Sequence, residues 1–242
     1  MIADTTLLVP ARNEGARLTR FLGELADMLP RAPQIAEVIL VLDGCTDDSI
    51  ERAREKLPRF GDDAPLRILD LPPSGKSGAV RSALLSARGR YTLLWDADCE
   101  YGLAALPACA QSLSVGTLVC GVRQSGRGWK SRFADAASHL VLWLSKLFEP
   151  AASPRTADML TGVHGAETAW MLDVLEDIEG YALEAALVRA ALDEGRWLYD
   201  VPVPYLARTK AQGRGIRWYH LWSILRAALG VPAYLEKPRF PR

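Results

Sequence analysis

Through the first hundred positions, short continuous apolar blocks alternate with longer stretches whose apolar residues recur at helical spacing. Residues 6–9 form the first block, which Pro10 stops, and residues 38–42, 66–69 and 91–95 form three more. Blocks of this length that do not alternate predict strands buried on both faces. Leu18, Phe21, Leu22 and Leu25 recur as one helix face between the first two strands. After an Asp43-Gly44 turn, residues 46–49 read as a helix start, and a further helix is predicted over 76–87. Strands alternating with helices predict a parallel sheet covered on both faces, with right-handed crossovers.

The second half is less regular. Residues 102–112 read as a helix, 117–122 as a strand, 129–147 as one long helix and 151–161 as a loop. Residues 182–194 read as a helix closed by Gly195. Residues 197–206 alternate and are broken by Pro202 and Pro204, which suits an edge strand. Residues 208–215 are basic and contain glycine, the mark of a mobile segment, and 216–229 form a last amphipathic helix. With no internal repeat and no linker, the expected organisation is one α/β catalytic domain over 1–215 and a C-terminal helix and tail over 216–242.

Composition narrows the class. The 242 residues are 49% hydrophobic and 24% charged, ordinary for a soluble domain. The formal net charge is zero, which argues against nucleic acid as a partner. That average hides an asymmetry: residues 203–242 hold eight Lys/Arg against the one acid Glu236, a local net charge of +7. Cys45, Cys99, Cys109 and Cys120 form no C-x-x-C pair and the three histidines are scattered, so a structural zinc site is not expected. The expected setting is a reducing cytoplasm. Met1-Ile2-Ala3-Asp4 lacks the basic and apolar regions of a signal peptide, and no run of about 18 apolar residues predicts a membrane span.

The chemistry gathers where strands end. Asp96-Ala97-Asp98 closes the fourth block, and two carboxylates one residue apart can grip a divalent cation that in turn grips a diphosphate. The plain alternative is a polar turn after a core strand. Residues 10–14, Asp43-Gly44 and Lys76 follow the other three strands, and in a parallel sheet all four sites converge at one edge. Neither G-x-G-x-x-G nor G-x-x-x-x-G-K-[ST] is present, which weighs against a dinucleotide oxidoreductase and a P-loop phosphotransferase.

Several pieces in order carry a resemblance: Val9-Pro10-Ala11-Arg12-Asn13-Glu14, Val41-Leu42-Asp43-Gly44-Cys45-Thr46-Asp47, Gly75-Lys76-Ser77-Gly78-Ala79 and Asp96-Ala97-Asp98. Residues 158–162, Gly180-Tyr181-Ala182-Leu183-Glu184 and Val201-Pro202-Val203-Pro204-Tyr205 continue it. Over residues 5–215 the chain resembles the family 2 glycosyltransferases of the GT-A fold, and among them the polyprenyl- and dolichyl-phosphate sugar transferases and their bacterial relatives. It departs from them at Leu42, where the family commonly has a second acid, and at Glu100, where polyprenyl-phosphate members often have Gln.

The resemblance implies a metal-dependent, inverting transfer of sugar from a nucleotide-diphosphate donor to a polyprenyl phosphate or other lipid. Pro10, Ala11, Asn13 and Glu14 would cradle base and ribose, against the alternative that Asn13 caps the following helix. Asp43 would hold base or ribose, and Asp47 cap the next helix. Lys76, Arg208 and Arg214, with Lys210 beside them, would face the diphosphate, and Asp96 with Ala97 the donor sugar. Asp98 is the leading ligand for Mg2+ or Mn2+, then Asp96, with Glu100 a third candidate. Arg123, Arg127, Lys130 and Arg132 would face a phosphate-bearing acceptor. His164 is a weaker candidate near the donor. Asp158 or Glu184 could act as general base for a hydroxyl acceptor, whereas an ionised phosphate needs none. The Trp218, Leu221, Trp222 and Leu225 face suits either packing on the domain or an anionic membrane surface, which would put the protein at the inner face of the cytoplasmic membrane. The competing readings are a hydroxyl-bearing acceptor, a nucleotidyltransferase and an inactive scaffold. The one glycine and one acid of residues 10–15 disfavour the second, and retention of Asp43, Lys76, Asp96 and Asp98 disfavours the third.

Overall fold

The computed structural model describes residues 3–62, 64–125, 156, 158–176, 178 and 182–206. Their strands are β1 (Thr5–Ala11), β2 (Ile35–Asp43), β3 (Leu66–Leu71), β4 (Tyr91–Trp95), β5 (Thr117–Ser125), β6 (Val163–Glu167) and β7 (Trp197–Tyr205). The helices are α1 (Ala16–Met28), α2 (Ser49–Lys56), α3 (Gly75–Leu84), α4 (Leu106–Gln111), α5 (Thr168–Val174) and α6 (Leu183–Asp193). One sheet runs β3-β2-β1-β4-β6-β5-β7. The first four strands in that order are mutually parallel. Strand β6 is antiparallel to β4 and β5, and β7 lies parallel to β5 at the edge, as its prolines predict.

Period two divides the buried strand residues between two layers. Leu7, Val9, Leu40, Leu93 and Trp95 pack with Leu18, Phe21, Leu22 and Leu25 of α1 and Leu106 of α4. Leu8, Ile39, Val41 and Leu94 face Val80 and Ala83 of α3, Met171 of α5 and Leu187 of α6. The α1 residues are at most 1% exposed, and each such burial contributes roughly 1.5–3 kcal/mol relative to exposure.

The structure extends or adds to the expected elements. Strands β1 to β3 and β5 run longer than their apolar blocks, because pairing continues into polar residues such as Arg123 and Gln124 beside β7. The stretch 102–112 is a 3-10 turn, Leu103–Ala105, before a short α4 rather than one helix, with Pro107 opening the α-helical part. Strand β6 and helix α5 were not anticipated. Val163-His164-Gly165-Ala166-Glu167 has low strand propensity, yet it fills the gap between β4 and β5, pairing along its whole length with β4 and at His164 and Gly165 with β5. The predicted helix over 129–147, the boundary at 215 and the helix over 216–229 lie outside the described residues. Among the described residues no helix is long and apolar enough to cross a membrane.

At the edge of the sheet where β2 begins, Glu37 is 3% exposed and accepts from Arg88 N at 2.6 Å, Thr6 Oγ1 at 2.8 Å and Arg67 Nη1 at 2.8 Å. Burial pushes its carboxyl up, but those hydrogen bonds and the Arg67 charge outweigh burial and hold it below the usual value of 4.5. The unfolded chain therefore takes up the proton first on acidification. The stabilisation is complete above the unfolded value and is lost as pH falls through the folded one. Glu37→Gln is expected to cost roughly 1–3 kcal/mol at pH 7 and to flatten the fall in urea midpoint below about pH 4.5. Equal midpoints for wild type and variant from pH 7 to 3 would refute this.

Candidate active site

The parallel strands bring three chain ends together. Ala11 stands beside Leu42 and Asp43 beside Leu71, while Leu8 pairs with Leu94, two residues before Asp96. The loops after β1 and β2 are stitched to each other. Thr46 N donates to Asn13 Oδ1 at 2.8 Å, and Glu14 N and Gly15 N donate to Ser49 Oγ at 3.1 and 3.0 Å. Asn13 therefore does not cap α1, whose N-cap is Gly15 with no side-chain cap bond. Its side chain spans to the second loop instead, from a backbone with φ of 55°. Asp47 does serve the start of α2, accepting from Ser49 N at 3.1 Å. Pro10 is half-buried at the end of β1, and Glu14 holds Arg17 at 2.7 Å.

Asp43 is 4% exposed. Its Oδ1 accepts from Ser74 N at 2.6 Å and Ser74 Oγ at 3.2 Å, and its Oδ2 accepts from Gly75 N at 3.1 Å. The carboxylate thus caps α3 from outside the helix and fixes where Lys76 begins. Arg12 approaches the same Oδ2 at 3.5 Å. Gly44 has φ of 59° and the Pro73 ring packs where a Cβ would lie, so only glycine fits this turn.

Lys76 Nζ sits between two carboxylates, 2.7 Å from Asp96 Oδ1, 2.9 Å from Asp96 Oδ2 and 2.6 Å from Glu184 Oε1. Glu184 arrives from the first turn of α6, 108 residues along the chain. Burial disfavours the Lys76 charge, but the attraction of Asp96 and then Glu184 more than reverses this and raises its pKa. Burial raises the Asp96 carboxyl, against the pull of Lys76, and the negative charges of Glu184 and Glu100 add to the rise.

Gly162 backs onto this network. A Cβ there would overlap the Asp96 carboxylate and lie 2.9 Å from the Tyr101 ring. Gly162→Ala is expected to push Asp96 off Lys76, with an overpacking cost of roughly 1–3 kcal/mol. A crystal structure of the variant and its melting temperature test this; an unmoved Asp96 at wild-type stability would contradict it.

Asp98 follows the strand end in a turn where Glu100 N donates to its Oδ1 at 3.0 Å. Cys99 between them has φ of 60°. Ala97 is 2% exposed and packed in the core, so its side chain does not face a ligand. Glu100 Oε2 accepts from Tyr205 Oη at 2.9 Å, and Leu206 N donates to Glu100 O at 2.8 Å. The end of β7 is thereby clasped to the Asp96–Asp98 loop.

Asp158 and Arg123 form a two-point ion pair, with Arg123 Nε on Oδ2 at 2.5 Å and Nη2 on Oδ1 at 2.8 Å. Their side chains are 5% and 6% exposed. Arg123 also lies 5.4 Å from the centre of the Tyr205 ring. Gly162 N donates to Tyr101 Oη at 2.8 Å. His164 is fully buried on β6, its ring nitrogens have no hydrogen-bond partner among the described residues, and burial pushes it down to about 4. It is a neutral core residue. Tyr205 closes one of the matched pieces but was given no role, and Tyr101 was not singled out, because a tyrosine beside apolar residues looks like any core residue. The sequence-predicted Arg127, Lys130, Arg132, Arg208, Lys210, Arg214 and the Gly180-Tyr181 pair lie outside the described residues.

Asp96 and Asp98 offer carboxylate oxygens, the donors that hard cations such as Mg2+ and Mn2+ take. Asp96 and Glu184 both lie against the single Lys76 cation, and the Glu100 charge also acts on Asp96, so the local charge also suits a cation. Among the described residues no cluster of three or more His, Cys, Asp or Glu is arranged as a metal cage. A Mg2+-like ion is usually bound by one or two carboxylates, with phosphate oxygens and water completing its shell. The residues fit the group.

A largely parallel sheet flanked by helices, with these acids at its edge, matches the GT-A glycosyltransferase fold. The chain is similar in shape to glucosyl-3-phosphoglycerate synthase from Mycobacterium tuberculosis, solved with Mn2+, uridine diphosphate and phosphoglyceric acid. The two superpose with a TM-score of 0.64 at 17% identity, over 95% of this chain and 77% of that one. The chain belongs to glycosyl transferase family 2, whose model matches residues 6–179. It is similar to the dolichyl-phosphate β-glucosyltransferase of Drosophila melanogaster, at 29% identity over 218 residues, 84% of this chain and 62% of that protein. The dodecaprenyl-phosphate galacturonate synthase of Rhizobium johnstonii is 30% identical over 111 residues, 46% of this chain and 32% of that protein. The chain thus spans less than two thirds of the length of these relatives.

Proposed function

We propose that this protein transfers a sugar from a nucleoside diphosphate sugar to a polyprenyl phosphate, with inversion at the anomeric carbon. The observation that carries the reading is the convergence of Lys76, Asp96 and Glu184 at the sheet edge of a family 2 fold, with Asp98 two residues along the same loop. The loops at Pro10, Ala11, Asn13 and Glu14 and the turn at Asp43 form the floor for base and ribose. In this geometry Asp43 acts chiefly by fixing the start of α3. Lys76 binds the donor diphosphate, joined by Arg208 and Arg214. Asp98 and Asp96 hold a divalent cation, Mg2+ or Mn2+, with Glu100 as a further ligand. When bound, that ion supplies Lewis-acid neutralisation of the departing diphosphate.

In the step itself, an acceptor phosphate oxygen forms the new bond to the anomeric carbon. The bond from that carbon to the diphosphate oxygen breaks, and its electron pair leaves with the nucleoside diphosphate. No proton has to be removed from an ionised phosphate. That suits this site, because Asp158 has both oxygens on Arg123 and Glu184 is paired with Lys76. Neither acid is poised as a general base. The names of the similar proteins support the same acceptor class. The basic, tryptophan-bearing residues 216–226 would meet the membrane surface where such an acceptor's head emerges, on the cytoplasmic side.

The test is nucleoside diphosphate release from a panel of nucleotide sugars, with Mn2+ or Mg2+, with and without a polyprenyl phosphate. Release that depends on the polyprenyl phosphate is expected. Release driven only by a hydroxyl acceptor would replace the acceptor assignment, and release of pyrophosphate would replace the whole reading with nucleotidyl transfer.

A further inference from the structure

Lys76 occupies both oxygens of Asp96 at once, at 2.7 and 2.9 Å. A divalent cation cannot take that carboxylate without displacing the ammonium or sharing an oxygen with it. The partner that yields is the lysine. Asp96 is held on a short stem at the fully buried end of β4, and Gly162 directly behind it blocks retreat on that side. Lys76 reaches the site on a flexible four-carbon stem from the first turn of α3. Glu184, at 2.6 Å from the same nitrogen and with a side chain only 12% exposed, gives the displaced ammonium a second anchor.

We propose that Lys76 is an exchangeable counter-ion that holds Asp96 until a divalent cation arrives, and that Glu184 is the positioning residue that keeps Lys76 at the site through the exchange. This rests on the reading of Asp96 as a metal ligand. The consequence is thermodynamic. Metal alone must displace the ammonium from Asp96 or share an oxygen with it, and either weakens the ion pair. A nucleoside diphosphate gives Lys76 a new anionic partner and offers the metal oxygen ligands, so the two ligands help each other. Such coupling is reciprocal and is commonly about 5- to 150-fold. Once Lys76 has moved, Glu184 directs it toward the diphosphate instead of leaving it to solvent.

The experiment measures Mn2+ binding to the full chain without nucleotide, from the electron paramagnetic resonance signal of free Mn2+. Wild type is compared with K76M, K76M/E184Q and K76M/D96N, with a melting temperature for each. Lys76→Met is expected to tighten Mn2+ binding by about fivefold or more. The K76M/E184Q protein removes one positive and one negative charge together, so its gain reports the release of Asp96 rather than added negative charge. It should keep most of the gain, and K76M/D96N should lose it. Unchanged or weaker Mn2+ binding in folded K76M/E184Q overturns the proposal. If K76M itself does not fold, K76Q makes the same comparison. In a second arm, UDP, GDP, ADP, CDP and dTDP are titrated with and without Mn2+. Wild type should show mutual enhancement of at least about fivefold for the nucleotide it binds, and K76M should lose most of it. If wild type binds none of these nucleotides with Mn2+, the functional reading fails, while the metal-only arm still decides the exchange.

Discussion

Asp98→Ala is expected to lower turnover by about two to four orders of magnitude while leaving the fold nearly intact. A metal ion at a departing diphosphate supplies several kcal/mol of charge stabilisation, and each 1.4 kcal/mol or so is a factor of about ten in rate. The structural cost should be small. Asp98 lies past the end of β4 on a half-buried turn, where its carboxylate accepts from Glu100 N at 3.0 Å. Losing that contact is worth about 1 kcal/mol, which for a chain of this size is roughly 2–4 °C in melting temperature. Nucleoside diphosphate release at saturating Mn2+ and a thermal melt, run on the same preparations, measure both. Turnover near wild type would remove Asp98 from the metal site. A fall of roughly 10 °C or more in melting temperature would show that the turn is structural instead.

The sheet edge was legible in the sequence because each of its parts is local. A continuous apolar block says where a strand runs, and the polar residue that stops it says where it ends. Parallel pairing then places Asp43, Asp96 and the loop after Pro10 side by side, as the strand register has them. The contacts that complete the site are not local. Nothing near Glu184 marks it as the partner of Lys76, since an acid in the first turn of a helix is ordinary and the two are 108 residues apart. The resemblance favoured a place for Glu184 in the sugar or acceptor pocket and said nothing of Lys76. Asp43 has a related history. Its place at the end of β2 was readable, but its two backbone partners in the loop before α3 depend on how β2 and β3 sit together. Strand β6 escaped for another reason. Gly165 and Ala166 are poor strand formers in isolation, and here both are paired with β4 and Gly165 with β5 as well. Gly162 was part of a matched motif, yet its reason, the Asp96 carboxylate lying against it, exists only in three dimensions.

Breaking the Arg123–Asp158 pair is expected to be the largest single loss of stability at the site. Both side chains are about 5% exposed, so either one left alone is a buried charge without its partner. Removing one member of such a pair costs about 3–5 kcal/mol, roughly 6–20 °C here. Arg123→Met and Asp158→Leu should each show this loss. The double variant should recover much of it, because two apolar side chains in place of a buried ion pair are often tolerated. A double-mutant cycle from urea unfolding measures the coupling. The pair also bears on the chemistry. Asp158 joins the end of β5 to the segment that carries Gly162, and in this geometry it supports the site without accepting a proton. Asp158→Asn, assayed below its melting range with a polyprenyl phosphate acceptor, should therefore keep the pH profile of the wild type even as its stability falls. If Asp158→Asn instead melts like wild type but loses about a thousandfold in turnover and the basic limb of the profile, Asp158 is a general base. The acceptor would then be a hydroxyl group rather than a phosphate.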